Sequence, residues 1–120
     1  MTEHPPPPRR RWRDYRTVAG RRPVKEFLNS LSDRDVAEIV VAMKDVQHNR
    51  LRAARHLRGD VYEVRADGDR QTFRILFAQE GRRGAALLAL DGFSKKTQKT
   101  PPTKVALAER RLKDWRSRGT

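Results

Sequence analysis

The stretch Val61-Tyr62-Glu63-Val64-Arg65-Ala66-Asp67-Gly68-Asp69-Arg70-Gln71-Thr72-Phe73-Arg74-Ile75-Leu76-Phe77 decides how this chain folds. On both sides of Asp67-Gly68, apolar and polar residues alternate with the period of half-buried strands. Asp-Gly between two such runs signals a hairpin, because a tight primed turn needs positive φ at both central residues. A two-residue turn sets Ala66 opposite Asp69, and then Arg65 opposite Arg70, Val64 opposite Gln71, Glu63 opposite Thr72, Tyr62 opposite Phe73 and Val61 opposite Arg74. Directly opposed residues share a face. Tyr62, Val64, Phe73, Ile75 and Phe77 therefore line one apolar face, and Glu63, Arg65, Arg70 and Arg74 lie on the other. A three-residue loop would place Phe73 and Ile75 beside Glu63 and Arg65, so the hydrophobic pattern selects the first register.

Downstream, Gly81-Arg82-Arg83-Gly84 marks a second turn. Residues 85–91 that follow are almost continuously apolar, which suits a strand covered on both faces. The three strands form a meander. After a basic loop, Thr100 can cap a last helix with Pro101 in its first turn, and Val105, Ala108, Leu112 and Trp115 mark its buried stripe. Upstream, residues 49–59 read as a polar, basic loop. A helix opening at Ser32, with Asp35 three residues on as a capping box, carries the stripe Val36, Ile39, Val40, Met43 and Val46. A shorter helix starts at Pro23 with Val24, Phe27, Leu28 and Leu31 as its stripe. Residues 12–18 suit a first strand near a sheet edge. Residues 1–11, with four consecutive prolines before Arg9-Arg10-Arg11, read as a disordered tail outside the fold. The expectation is an α+β domain over residues 12–118 in the order β-α-α-β-β-β-α, mostly antiparallel, with the helices on one face of the sheet.

Of 120 residues, 28 are Lys or Arg and 15 are Asp or Glu, giving a formal net charge of +13. Such an excess is the footprint of a polyanion partner, nucleic acid before acidic membrane, and argues against an enzyme of neutral metabolites. It is uneven. Residues 1–30 hold eight cations against three anions and residues 91–120 nine against three, while the middle is near neutral. The absence of cysteine excludes disulfides, thiolate nucleophiles and Cys-type metal sites. No apolar run approaches the roughly 18–20 residues of a membrane span and no secretory signal is visible, so a cytoplasmic protein is expected. Asp67 and Asp69 are explained by turn chemistry, and neither a metal nor a cofactor is called for.

Three pieces, Leu57-Arg58-Gly59-Asp60-Val61-Tyr62-Glu63-Val64-Arg65, Phe73-Arg74-Ile75-Leu76-Phe77 and Gly92-Phe93-Ser94-Lys95-Lys96-Thr97-Gln98-Lys99-Thr100-Pro101, resemble the phage-derived HigB-like branch of the RelE/ParE toxin superfamily. Pro23-Val24-Lys25-Glu26-Phe27-Leu28 fits the same branch. The likeness runs over about residues 12–115, and the Phe-x-Lys-Lys-x-x-Lys-Thr-Pro run is its most specific part. It implies the compact, microbial-RNase-like RelE fold and the toxin of a type II toxin–antitoxin pair, cleaving messenger RNA on the ribosome. It further implies a cognate antitoxin, expected to be a helix-turn-helix DNA-binding protein encoded beside it. Carried over, the site is Arg74, Lys95 and Lys96, with Arg65 and Glu63 nearby. No histidine lies where some relatives use one, since His4 is in the tail and His48 and His56 lie near the second helix and its following loop.

RNA can be cut without a metal through attack of its own 2′-hydroxyl on the adjacent phosphate. That route needs a base, cations for the developing phosphoryl charge and an acid for the leaving oxygen. Arg74 suits the cationic role, because a guanidinium stays charged and binds two phosphate oxygens at once. Lys95 is a candidate proton carrier, and Glu63 a candidate base unless it pairs with Arg65. Lys99, Gln98, Arg70, Lys104 and Arg111 are candidates for holding RNA, largely through phosphates. From residues alone, Arg74 reads equally as the solvated side of a strand, and the lysines more readily as a solvated loop; the resemblance reverses this for Lys95. A ParE-like inhibitor of DNA gyrase and a non-catalytic nucleic-acid-binding module are the competing functions.

Overall fold

The computed structural model describes residues 10–68, 70–95 and 99–119. Most of the expected tail, together with Asp69, Lys96, Thr97 and Gln98, lies outside them. The elements are β1 (Arg11–Asp14), α1 (Pro23–Asn29), α2 (Asp33–Asn49), β2 (Arg55–Arg58), β3 (Val61–Asp67), β4 (Thr72–Glu80), β5 (Ala86–Lys95) and α3 (Pro102–Ser117). They build one five-stranded sheet ordered β1-β5-β4-β3-β2, in which β1 runs parallel to β5 and every other pair is antiparallel. No helix among the described residues is long and apolar enough to cross a membrane.

Among the described residues the α+β class, the meander and three helices are as expected, while other features differ. The segment read as a loop contains a 3₁₀ turn, Arg50–Ala53, and then β2, an edge strand paired with β3 through Arg55 opposite Glu63 and His56 opposite Tyr62. Its residues, Arg-His-Leu-Arg, show no alternation of their own; the ladder offered by β3 holds them extended. The helices also do not share one face. α1 and α2 cover the side bearing Val64, Phe73, Ile75, Phe77, Leu87 and Ala89, whereas Ala108, Leu112 and Trp115 of α3 pack on Val61, Leu76, Ala78, Leu88 and Leu90. Because β4 and β5 are apolar at both parities, one covered face would leave the other in water, and α3 buries it.

The hairpin register differs too. The observed pairs are Tyr62 with Phe77, Glu63 with Leu76, Val64 with Ile75, Arg65 with Arg74, Ala66 with Phe73 and Asp67 with Thr72. The ladder therefore ends at Asp67 and Thr72, beyond which Gly68 N donates to the Gln71 carbonyl at 3.0 Å. The displacement is an even number of residues, so every residue on the paired strands keeps its expected face, while Arg70 falls in the reversal and leaves the charged row. Gly68 is not in the left-handed region. Its lack of a side chain serves packing instead, since a Cβ there would lie 2.4 Å from the Phe73 ring.

Two local devices set the α3 face. Leu90 and Asp91 form a bulge in β5, at the point where the register with β4 shifts between Leu76 and Phe77. The bulge turns Asp91 to the same side as Leu90. There Asp91 meets α3: Arg111 Nη1 donates to its Oδ1 at 3.1 Å and to the Leu90 carbonyl at 2.8 Å, and Lys104 Nζ lies 3.5 Å from Oδ2. On the opposite side, Trp12 Nε1 donates to the Met43 carbonyl at 2.8 Å, fastening β1 to α2. The helix starts follow local rules. Pro23 occupies the first turn of α1, and Ser32 Oγ accepts from Asp35 N at the start of α2.

Candidate functional site

Alternation places Glu63 and Arg65 of β3 and Arg74 of β4 on the α3 side of the sheet, beyond the end of the apolar core. Arg65 and Arg74 are directly opposite one another. Like charges in that position are unfavourable, and Glu63 takes up part of the cost. Arg65 Nε donates to Glu63 Oε1, and the Thr100 hydroxyl donates to Glu63 Oε2 while accepting from Arg74 Nη1 at 3.1 Å. The result is a chain Arg74–Thr100–Glu63–Arg65 across two strands and the approach to α3. It is largely dry, with Glu63 and Arg74 each 1% exposed and Thr100 8%. Burial, first, and the Arg65 charge, second, pull the Arg74 guanidinium below its ordinary pKa, while Glu63 opposes them. A buried cation set beside another cation is a poor stabilising device and a good marker of function.

Three more cations border this chain. Arg55, exposed on β2, lies opposite Glu63. Lys95 pairs with Thr72 and so stands diagonal to Arg74, about 7–8 Å away by strand geometry. Lys99 is exposed just before Thr100. Among the described residues, the site thus draws five cations, Arg55, Arg65, Arg74, Lys95 and Lys99, from β2, β3, β4, β5 and the lead-in to α3.

Of the expected site, the structure brings together Glu63, Arg65, Arg74 and Lys95, with Lys99 at the border. Lys96 and Gln98 lie outside the described residues. Arg70 is exposed in the hairpin reversal. Lys104 and Arg111 are committed to Asp91, and Lys104 also lies 5.1 Å from the centre of the Phe93 ring. Both oxygens of Glu63 accept bonds from neighbours, so it serves as the anchor of the arginines. Sequence reading missed two members. Arg55 was hidden in the supposed loop. Thr100 was read as a helix cap, but α3 starts after Pro101 without a side-chain cap. Its hydroxyl is spent on Glu63 and Arg74.

Fold and site define a small α+β protein that backs a guanidinium-rich sheet face with a buried carboxylate, a surface suited to a phosphate polymer. Residues 26–113 match the family described as "Phage derived protein Gp49-like". The chain is also 37% identical over 109 residues to "Probable endoribonuclease HigB1" from two strains of Mycobacterium tuberculosis, CDC 1551 / Oshkosh and ATCC 25618 / H37Rv. Each alignment covers 88% of this chain and 84% of the relative. The chain belongs to the Gp49-like family of phage-derived proteins, within its HigB-like toxin branch, as its sequence motifs led us to expect.

Proposed function

We propose that this protein is the toxin of a type II toxin–antitoxin pair and an endoribonuclease that cuts messenger RNA on the ribosome in the cytoplasm. Its antitoxin is a helix-turn-helix DNA-binding protein encoded alongside it. The observation that carries the reading is Arg65 set directly opposite the buried Arg74, with Glu63 and Thr100 fixing both. A pre-organised cationic face of this kind stabilises charge that develops on a phosphate without reorganising at the moment of reaction. The likeness to endoribonuclease HigB1 over most of the chain supports the same activity.

In this mechanism Arg65, Arg55 and Lys95 meet the phosphoryl oxygens from the surface. Arg74 acts from beneath as a fixed charge, its field strengthened by the dry surroundings. The ribose 2′-hydroxyl hands its proton to water as its oxygen attacks the adjacent phosphorus, the bond from phosphorus to the 5′-oxygen breaks, and the products are a 2′,3′-cyclic phosphate and a free 5′-hydroxyl. Lys95 carries the proton to the leaving oxygen. Charges elsewhere, including those on the outer side of α3, dock the protein on ribosomal RNA with a steep dependence on salt.

The test maps messenger RNA 5′ ends after brief induction, with a gyrase supercoiling assay alongside. Wild-type protein should generate new 5′-hydroxyl ends and leave gyrase untouched. Arg74→Ala and the more exposed Arg65→Ala, each checked for native circular dichroism, should lose cleavage by about 10²–10³-fold, the scale of removing one transition-state charge donor. Full growth arrest by folded Arg74→Ala and Arg65→Ala variants, or gyrase inhibition without RNA ends, would overturn the proposal.

A further inference from the structure

Beside the arginine chain, between β2 and the start of α3, lies a cleft of about 470 Å³, lined by Arg55, Leu57, Lys99, Thr100, Pro102 and Val105 among others. That volume is in the range of small-ligand sites. Its chemistry is divided. Leu57, Pro102 and Val105 give it an apolar part, Arg55 of β2 and Lys99 before α3 are exposed cations of its lining, and Thr100 is shared with the site through its bond from Arg74. The other polar side chains at the rim are engaged elsewhere: Arg58 with Glu109, and His56 with the Gly59 carbonyl at 2.7 Å and with the Tyr62 ring.

We propose that this cleft seats one unpaired nucleobase of the RNA, next to the phosphate that is cut, with Arg55 and Lys99 holding the phosphates on either side of it. The inference rests on the RNA-cleaving function above and adds a subsite to it. A nucleotide in a single strand has this divided chemistry, a flat apolar-faced ring between two anions. A guanidinium such as Arg55 can both pair with phosphate and stack on the ring. A paired base cannot enter, because its edges and faces are already used in the helix; a splayed single strand can. The occupant sets which bases flank the cut.

The experiment uses the full chain with isotopically labelled Leu and Val methyl groups, titrated to saturation at low salt with an uncleavable 2′-O-methyl hexaribonucleotide. A second series carries one abasic position moved along the strand. The Leu57 and Val105 methyl signals should shift on binding, and one abasic position should weaken binding by about 5- to 100-fold, the scale of losing one stacked base. Arg55→Gln and Lys99→Gln, both at exposed positions, should each reduce the slope of log affinity against log salt by about 0.7. A hexaribonucleotide that binds while Leu57 and Val105 stay silent and no abasic position matters, in a protein that does cut messenger RNA on the ribosome, overturns the subsite alone. A wild-type protein that neither binds the hexaribonucleotide nor cuts messenger RNA on the ribosome overturns the function and the subsite together. A cleft that responds to an acidic peptide and not to RNA overturns the choice of ligand.

Discussion

Replacing Glu63 by Gln tests whether the carboxylate is what makes the arginine face tolerable. Gln matches Glu in volume and keeps one oxygen for the Thr100 hydroxyl, so the change is one of charge. The Glu63 side chain is fully buried while that of Arg65 is 28% exposed. Removing one partner of a fully buried ion pair costs about 3–5 kcal/mol. Because water can reach Arg65, part of that is recovered, and we expect about 2–3 kcal/mol. In urea, with an m-value of about 1–3 kcal/mol/M for a protein of this size, the unfolding midpoint should fall by roughly 0.7–3 M. Urea is required, since guanidinium chloride would screen the effect. Two controls identify the cause. Added inorganic phosphate should narrow the gap, because the cations left behind bind the anion in the folded state alone. In an Arg65→Met background the Glu63→Gln loss should shrink by about 0.5–3 kcal/mol, the range for groups in direct contact. A Glu63→Gln midpoint within error of wild type, or an undiminished loss in the Arg65→Met background, would refute this account.

Two further predictions concern the scaffold. The Tyr15 hydroxyl donates to Asp114 Oδ2 at 2.6 Å; burial and then this bond push the phenol pKa up, and the same bond, with Arg118, draws the Asp114 carboxyl down. The phenol's contribution is whole below its ordinary value of about 10 and is lost as pH rises through the higher folded value. The carboxylate's is present above its ordinary value and lost as pH falls through the lower folded one. Tyr15→Phe should flatten the alkaline limb of stability against pH relative to wild type, and an unchanged alkaline limb in urea titrations would show the bond to be inert. Gly92 lies beneath Phe27 of α1, and a Cβ there would sit 2.5 Å from Phe27 Cδ2 and 3.1 Å from Ile75 Cδ1. Gly92→Ala should cost about 1–3 kcal/mol through overpacking and loosen α1, seen as faster amide exchange over that helix; wild-type exchange and stability would show that Phe27 simply yields.

The hairpin explains why some levels of the structure were legible and others were not. The division of Tyr62, Val64, Phe73, Ile75 and Phe77 from Glu63, Arg65 and Arg74 survives any even displacement of one strand along the other, so it could be read from alternation alone. The register could not. Asp67-Gly68 is a local turn signal, and the pairing of Ala66 with Phe73, the fit of the Phe73 ring over Gly68 and the match of Leu76 and Ala78 to α3 outweigh it. Thr100 shows the same limit at the site. A threonine before two prolines and a helix carries the same local signal whether its hydroxyl caps the helix or bridges Glu63 and Arg74, 37 and 26 residues away.

By itself, the sequence determined the class of fold, the faces of the hairpin, the basic character of the site and the family, because alternation, helical periodicity and motif order are properties of short stretches. Only the tertiary structure decided that β2 is a strand, that α3 covers the second face, that a bulge turns Asp91 toward Arg111, and that Arg74 is buried behind Thr100. Each of these depends on which partner is nearest in space. Backbone groups, buried charges and apolar faces must find that partner somewhere in the fold, and nothing in their own neighbourhood along the chain says where.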